Sequence, residues 1–221
     1  MQKKNISRLH YITTPCNYSY MEQIKAIVLG GGNWVQLRMP EASLKEKEQV
    51  TIEALRFCMD NGATLIIDNN VELAAKLGAD GVHLDMKDMQ PNKAREILGP
   101  QAILGASANS FAEVQQLHEA GLDYIHLGPH RIDPTKSTQD APLSVEEYQS
   151  ILSQCKAAGI TTPIIAFGGL VPDDVKPLFD IGIHGVAFDS YLAQSEQPGA
   201  LTLELLEKIG RCSSANWGKL F

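Results

Sequence analysis

Two glycines, Gly168 and Gly169, stand where the apolar run Pro163-Ile164-Ile165-Ala166-Phe167 stops, and Val171-Pro172-Asp173-Asp174 opens a helix after them. Backbone N–H groups left bare at such a junction suit a phosphate. The pair also serves as a tight strand-to-helix turn, and both readings stay open. About twenty residues on, Gly185-Val186-Ala187-Phe188-Asp189-Ser190 repeats the design with a hydroxyl at its end. Further polar groups follow other apolar runs: Gln36 and Arg38; Asp68, Asn69 and Asn70; His83, Asp85 and Asp88; Ser107 and Asn109; His130, Arg131, Asp133, Thr135 and Lys136. Carboxylates and carboxamides beside Arg and Lys suit a hard cation and a diphosphate, so Mg²⁺ is the cofactor this set implies.

Each member also has a plainer reading. His83 and His126 occupy strand positions and read as satisfied core histidines. Asp85 and Asp88 read as helix caps ahead of Pro91. Arg38 closes a buried strand, where a charge needs an anion or a carboxylate partner. Lys136 reads as a solvated loop charge. The convergence of these groups carries more weight than any one of them.

The elements that position them alternate. Strands are expected at 9–13, 34–38, 64–68, 81–84, 102–107, 124–129, 163–167 and 185–190. Helices are expected at 21–29, 44–60, 71–77, 93–98, 111–120, 145–158, after Val171, and at 201–209. Ser43 with Glu46 reads as a capping box. Three segments, 77–84, 120–127 and 181–188, share one helix-stop-then-strand pattern. Eight such alternations predict an α/β fold, a single (β/α)8 TIM barrel, with its polar groups at the carboxyl ends of the strands. A doubly wound open sheet is the alternative, but no G-x-G-x-x-G follows the first strand. The whole chain, 1–221, reads as one domain, with the barrel at about 9–209 and a C-terminal tail at 210–221 that lacks a clear period.

Composition narrows the function classes. Of 221 residues, 44% are hydrophobic and 20% charged, enough for one large core. The net charge of −7 argues against nucleic acid or an anionic membrane as the main partner. An anionic ligand therefore requires a local basic pocket. No apolar run approaches the roughly 18–20 residues of a membrane span. Met1 to Asn5 leads straight into a strand-like run without a signal-peptide core, and a cytoplasmic location is expected. Cys16, Cys58, Cys155 and Cys212 are far apart and show neither CxxC nor zinc spacing, so reduced thiols are expected.

The chain resembles the thiamine-phosphate synthase superfamily, which includes the thiazole tautomerases. The carriers are Gln36-Leu37-Arg38, Asp68-Asn69-Asn70 with Val71-Glu72-Leu73-Ala74, Gly78 to Leu84, Gly105-Ala106-Ser107, Asp123 to Pro129, Thr135-Lys136 and Ala166-Phe167-Gly168-Gly169. They spread over about 9–209. The resemblance implies joining a hydroxymethylpyrimidine diphosphate to a thiazole phosphate with release of pyrophosphate. It places Arg38 and Lys136 on the diphosphate, and Gln36, Ser107 and His83 around the pyrimidine. Asp88 is implied as an Mg²⁺ ligand, with Asn69 and Asp68 at the shifted metal position. Gly168, Gly169 and Ser190 are implied to cradle the thiazole phosphate, with Thr135 beside it. The partners implied are small phosphorylated substrates, and a homodimer is compatible with the tail.

The chain also departs from the family pattern. Pro40 stands in a lysine's place, Asp68-Asn69 replaces Asn-Asp, Asp85-Met86 replaces Gly-Gln, and Asp133-Pro134 precedes Thr135-Lys136. The tautomerase branch wants a histidine where Asn109 stands. A thiazole-phosphate isomerase and a non-catalytic binder of a phosphorylated thiamine precursor remain the alternative readings.

Overall fold

The computed structural model describes residues 4–85, 89–132 and 141–217, with side chains as far as Cys212. Eight parallel strands close in sequence order into one barrel. They are β1 (Leu9–Ile12), β2 (Trp34–Leu37), β3 (Thr64–Asp68), β4 (Gly81–Leu84), β5 (Ile103–Ala108), β6 (Tyr124–Leu127), β7 (Ile164–Phe167) and β8 (Gly185–Phe188). Helices α1 (Tyr20–Leu29), α2 (Leu44–Asp60), α3 (Val71–Leu77), α4 (Pro91–Leu98), α5 (Phe111–Glu119), α6 (Val145–Ala157) and α7 (Val175–Asp180) follow the first seven strands. A 3-10 turn, Pro172–Asp174, leads into α7. After β8 come a short α8 (Ser190–Ala193) and a long α9 (Pro198–Trp217). The single (β/α)8 barrel expected from the alternation is the observed fold.

The strands are short, and successive side chains face opposite ways. Leu65, Ile67, Val82, Leu84, Ile125, Leu127, Ala166 and Val186 turn outward into the main core beneath the helices. Ile12, Trp34, Ile66, Tyr124, Ile165 and Ala187 turn inward and form a second, separate cluster inside the barrel. This two-sided burial explains why the strands read as continuous apolar runs. Space inside is tight. A Cβ on Gly105 would sit 2.1 Å from Cζ of Tyr124, so the phenol ring lies where a side chain on β5 would otherwise be.

Several helix starts follow from local chemistry. Ser19 with Glu22 and Ser144 with Glu147 form complete capping boxes on α1 and α6. The box expected at Ser43 is half-made: its hydroxyl accepts from Glu46 N, but the Glu46 side chain does not return the bond. At the barrel's lower end Asp123 accepts from Lys4 Nζ, Arg95 Nη2 and the backbone N–H of Leu104. The tail differs from its expectation. Residues 210–217 continue α9 instead of leaving the helix after Ile209. Gly210 costs a helix only about 1 kcal/mol, and Cys212 still packs against the core. Among the described residues no helix is long and apolar enough to cross a membrane.

Candidate active site

The residue just past β2, Arg38, is fixed at its backbone by Thr13, just past β1. Thr13 Oγ1 accepts from Arg38 N at 2.8 Å and donates to Arg38 O at 2.9 Å. The Arg38 side chain is 34% exposed, and its Nε lies 3.8 Å from Asp68 Oδ2. No other partner of the guanidinium is found among the described residues, so this loose pair leaves most of its donors for a ligand. Asp68 therefore turns into the barrel mouth, as its place on the inward face of β3 requires. Its Oδ1 accepts from Gln36 Nε2 at 2.6 Å. The other end of that amide, Gln36 Oε1, is buried without a hydrogen-bond partner. Such an atom costs about 1–3 kcal/mol unless a donor reaches it.

Asn69 adopts φ +57°, the left-handed conformation that Asn tolerates better than most residues. Its backbone donates to His83 O, and its side-chain Oδ1 accepts from Asp85 N at 3.1 Å. It thus ties the ends of β3 and β4 together, and one lone pair of Oδ1 is already used. Asp85, just past the end of β4, is exposed.

His83 is a core histidine that touches the site. Its Nδ1 lies 3.0 Å from Tyr124 Oη and its Nε2 2.9 Å from Ser107 Oγ. Only 4% of it is exposed, whereas Ser107 is partly open to the mouth. Below it, His10 Nε2 lies 3.0 Å from Ser7 O, which can only accept. His10 Nδ1 must then accept from His126 Nε2, 3.1 Å away. The imidazole of His10 stacks on Trp34 at 4.4 Å, and those of His83 and His126 lie 4.3 Å apart. Burial pushes the His83 imidazole down to about 3. Burial also holds His10 and His126 well below the usual value, and neighbouring imidazoles add to the effect. All three are neutral at physiological pH. The plain reading of His83 and His126 as satisfied core residues is what their partners support. Sequence reading missed Tyr124 and His10 as members of this interior. The available signal was Tyr124 two residues before His126, on the same face of β6.

On the far wall, after β7, Gly168 and Gly169 hold φ +92° and +61°. A Cβ on Gly168 would lie 2.5 Å from Pro129 Cβ, and one on Gly169 would lie 2.9 Å from Arg131 Cβ. Both glycines are thus required by the chain folded over them. The tight-turn reading is what these contacts show. Gly168 O accepts from Arg131 N, and Gly169 O accepts from Arg131 Nη1. The N–H groups of Gly168 and Gly169 have no hydrogen-bond partner among the described residues. Arg131 grips Asp174 through both guanidinium nitrogens, and Asp174 also accepts from Val171 N at 2.8 Å. Ser190 opens α8 on the neighbouring strand, with its backbone N–H donated to Asp189 Oδ1 at 2.6 Å.

Asn109 has a visible structural task. Its Nδ2 donates to Gly128 O at 2.8 Å and Ala141 O at 3.0 Å, holding both ends of the loop after β6. Asp88, Asp133, Thr135 and Lys136, expected at the metal and the phosphates, lie outside the described residues. Among the described residues no three His, Cys, Asp or Glu side chains group as a metal cage. Mg²⁺ does not need one, because it is commonly held by one or two carboxylates plus substrate phosphates and water. Asp68 turns one carboxylate into the mouth, and Asp85 follows the adjacent strand β4.

A closed parallel barrel with Arg38, Asp68 and the Gly168-Gly169 amides at its carboxyl rim defines the class: a (β/α)8 barrel of the enzyme type, with its polar groups at the carboxyl mouth. Comparison with known proteins narrows it. The family described as thiamine monophosphate synthase matches residues 9–192. A thiamine-phosphate synthase of Bacteroides fragilis is 42% identical over 190 residues, 86% of this chain and 93% of that protein. One from Bacteroides thetaiotaomicron is 40% identical over 199 residues, 90% of this chain and 95% of its own. The solved thiamine phosphate pyrophosphorylase from Pyrococcus furiosus superposes with a TM-score of 0.82 at 25% identity, covering 93% of this chain and 96% of that one. The chain belongs to the thiamine monophosphate synthase family.

Proposed function

We propose that this chain is a thiamine-phosphate synthase, a transferase that joins hydroxymethylpyrimidine diphosphate to thiazole phosphate and releases pyrophosphate. The observation that carries the reading is one rim with two separate sets of donors that suit anions. Arg38 stands at the end of β2, and the open N–H groups of Gly168 and Gly169 stand at the end of β7. A diphosphate substrate and a monophosphate substrate need two such places, and an isomerase of one phosphate needs a single one.

The roles follow from position. Arg38 binds the departing diphosphate, where Lys136 joins it, and its charge favours the leaving group over the bound ester. Asp68 orients Arg38 and Gln36 together. Gln36 Oε1 is an acceptor left for the exocyclic amine of the pyrimidine, while His83 supports Ser107 beside the ring. Asp68 and Asp85, with Asn69 Oδ1 and Asp88, would hold Mg²⁺, which when bound neutralises diphosphate charge. Gly168, Gly169 and Ser190 bind the thiazole phosphate, with Thr135 beside it. The bond from the pyrimidine methylene to diphosphate oxygen breaks with its electron pair on the oxygen. The thiazole nitrogen then supplies the pair for the new C–N bond. No protein acid or base is needed, which agrees with an interior of neutral histidines. The same reading takes the chain as one domain acting on small phosphorylated substrates in the cytoplasm, as a homodimer. The test is to incubate purified protein with both substrates and Mg²⁺ and to detect thiamine phosphate. No product, with thiazole phosphate still bound, would leave the binder or isomerase in its place.

A further inference from the structure

We infer that Tyr124, buried beneath the site, is a positioning residue that acts through His83 to fix Ser107 as a hydrogen-bond donor toward substrate. Proton counting along three side chains fixes the direction. Tyr124 is fully buried, and its hydroxyl has one hydrogen-bond partner among the described residues, His83 Nδ1 at 3.0 Å. If Nδ1 carried the imidazole proton, the phenol would have to accept there. Its own proton would then be left in the barrel interior with no acceptor, a loss of about tenfold or more in the population of that arrangement.

The opposite arrangement leaves nothing orphaned. Tyr124 donates to Nδ1, His83 therefore carries its proton on Nε2, and Nε2–H donates to Ser107 Oγ at 2.9 Å. Ser107 cannot return that bond. Its hydroxyl proton must point away from His83, and Ser107 is the member of the three that opens on the mouth. The imidazole stays neutral because burial disfavours its charged form, so the direction does not reverse with pH in the working range. Ser107 is thus a fixed donor, and it selects an acceptor atom on its ligand. For an aminopyrimidine that atom is a ring nitrogen and not the amine. Gly105 belongs to the same device, because only the missing Cβ on β5 lets the Tyr124 ring lie where it reaches His83.

The part of the inference about Ser107 and a pyrimidine rests on the synthase reading; the proton direction does not. The two are separated by measuring the imidazole first. Full-length protein labelled with ¹⁵N-histidine gives ring ¹⁵N–¹H correlations, and the His83 signals are assigned by their loss in His83→Gln. The expected result is the Nε2–H tautomer of His83, unchanged between pH 8 and pH 6. An Nδ1–H tautomer in the wild-type protein overturns the inference whatever the enzyme does. In Tyr124→Phe, which keeps the ring and its packing, the single tautomer should be lost. Turnover to thiamine phosphate should fall about tenfold, with KM for thiazole phosphate unchanged, because one neutral hydrogen bond is misdirected. Unchanged turnover in that variant also overturns it. A wild-type protein without synthase activity would sink the functional reading and leave the tautomer measurement decisive.

Discussion

Acid should unfold this protein through its barrel interior. His10, His83 and His126 lie 0%, 4% and 1% exposed, each held by one or two neutral partners and stacked against aromatic rings. Burial is the main reason each imidazole stays neutral, His83 down to about 3 and the other two well below the ordinary value. In the unfolded chain each takes up a proton below about pH 6.5. The sign follows directly: between the folded and unfolded pKa values the unfolded state binds more protons, so stability rises with pH there and is complete above 6.5. At pH 5 His83 costs about 2 kcal/mol relative to pH 8, and His10 and His126 add to that cost in the same direction. That is a large share of the stability of a typical domain, about 5–15 kcal/mol. Urea titrations at a series of pH values measure it. The slope of unfolding free energy near pH 5.5 should correspond to more than one proton taken up, and His126→Gln should lower it. A slope below one proton would refute the reasoning, because the imidazoles would then be charging inside the folded barrel.

The remaining predictions concern the rim. Burial alone would raise the Asp174 carboxyl, but the Arg131 hydrogen bonds, the Val171 N–H and the nearby positive charge outweigh it and hold it below the usual range. Its contribution is thus present above about pH 4 and lost below it. Asp174→Ala should cost about 2 kcal/mol, since Arg131 is half exposed and its share is discounted. It should also raise KM for thiazole phosphate by loosening Gly168-Gly169, and unchanged melting and KM together would contradict the clamp. Ser190→Ala should weaken thiazole phosphate binding about five- to tenfold, with stability within about 0.5 kcal/mol, read by titration calorimetry and thermal melting. Gly169→Asp is the poorer test, because its Cβ collides with Arg131 before any charge is felt. Pro40→Lys with Asn69→Asp should raise turnover and lower the Mg²⁺ needed for half-maximal rate, since Asp tolerates the φ of +57° at that position and can still accept from Asp85 N. No change in the Mg²⁺ dependence would remove Asn69 from the metal site.

Much of this protein is set by local sequence. Continuous apolar runs such as Ile164 to Phe167 specify strands buried on both faces, and their alternation with capped helices specifies a barrel. Gln36, Arg38 and Asp68 were readable as rim residues because a parallel barrel brings every strand's carboxyl end to one side. The side-chain partners were not readable, because they depend on register between strands. Asp68 meets Gln36 and Arg38 across a strand boundary, and Asn69 turns to Asp85 because its backbone goes left-handed. The glycine pair after β7 was legible as a junction. Only the folded chain shows that Pro129 and Arg131 fill the space where their side chains would be. The interior histidines show the limit most clearly. Sequence placed His83 and His126 at strand positions. Whether an imidazole there is a catalyst or a filler depends on what lies across a barrel some five residues deep, and periodicity along one strand carries no information about the opposite wall. Tyr124 shares β6 with His126, Ser107 lies on β5 and His10 on β1, and closure of the sheet brings Tyr124 to His83 and His10 to His126.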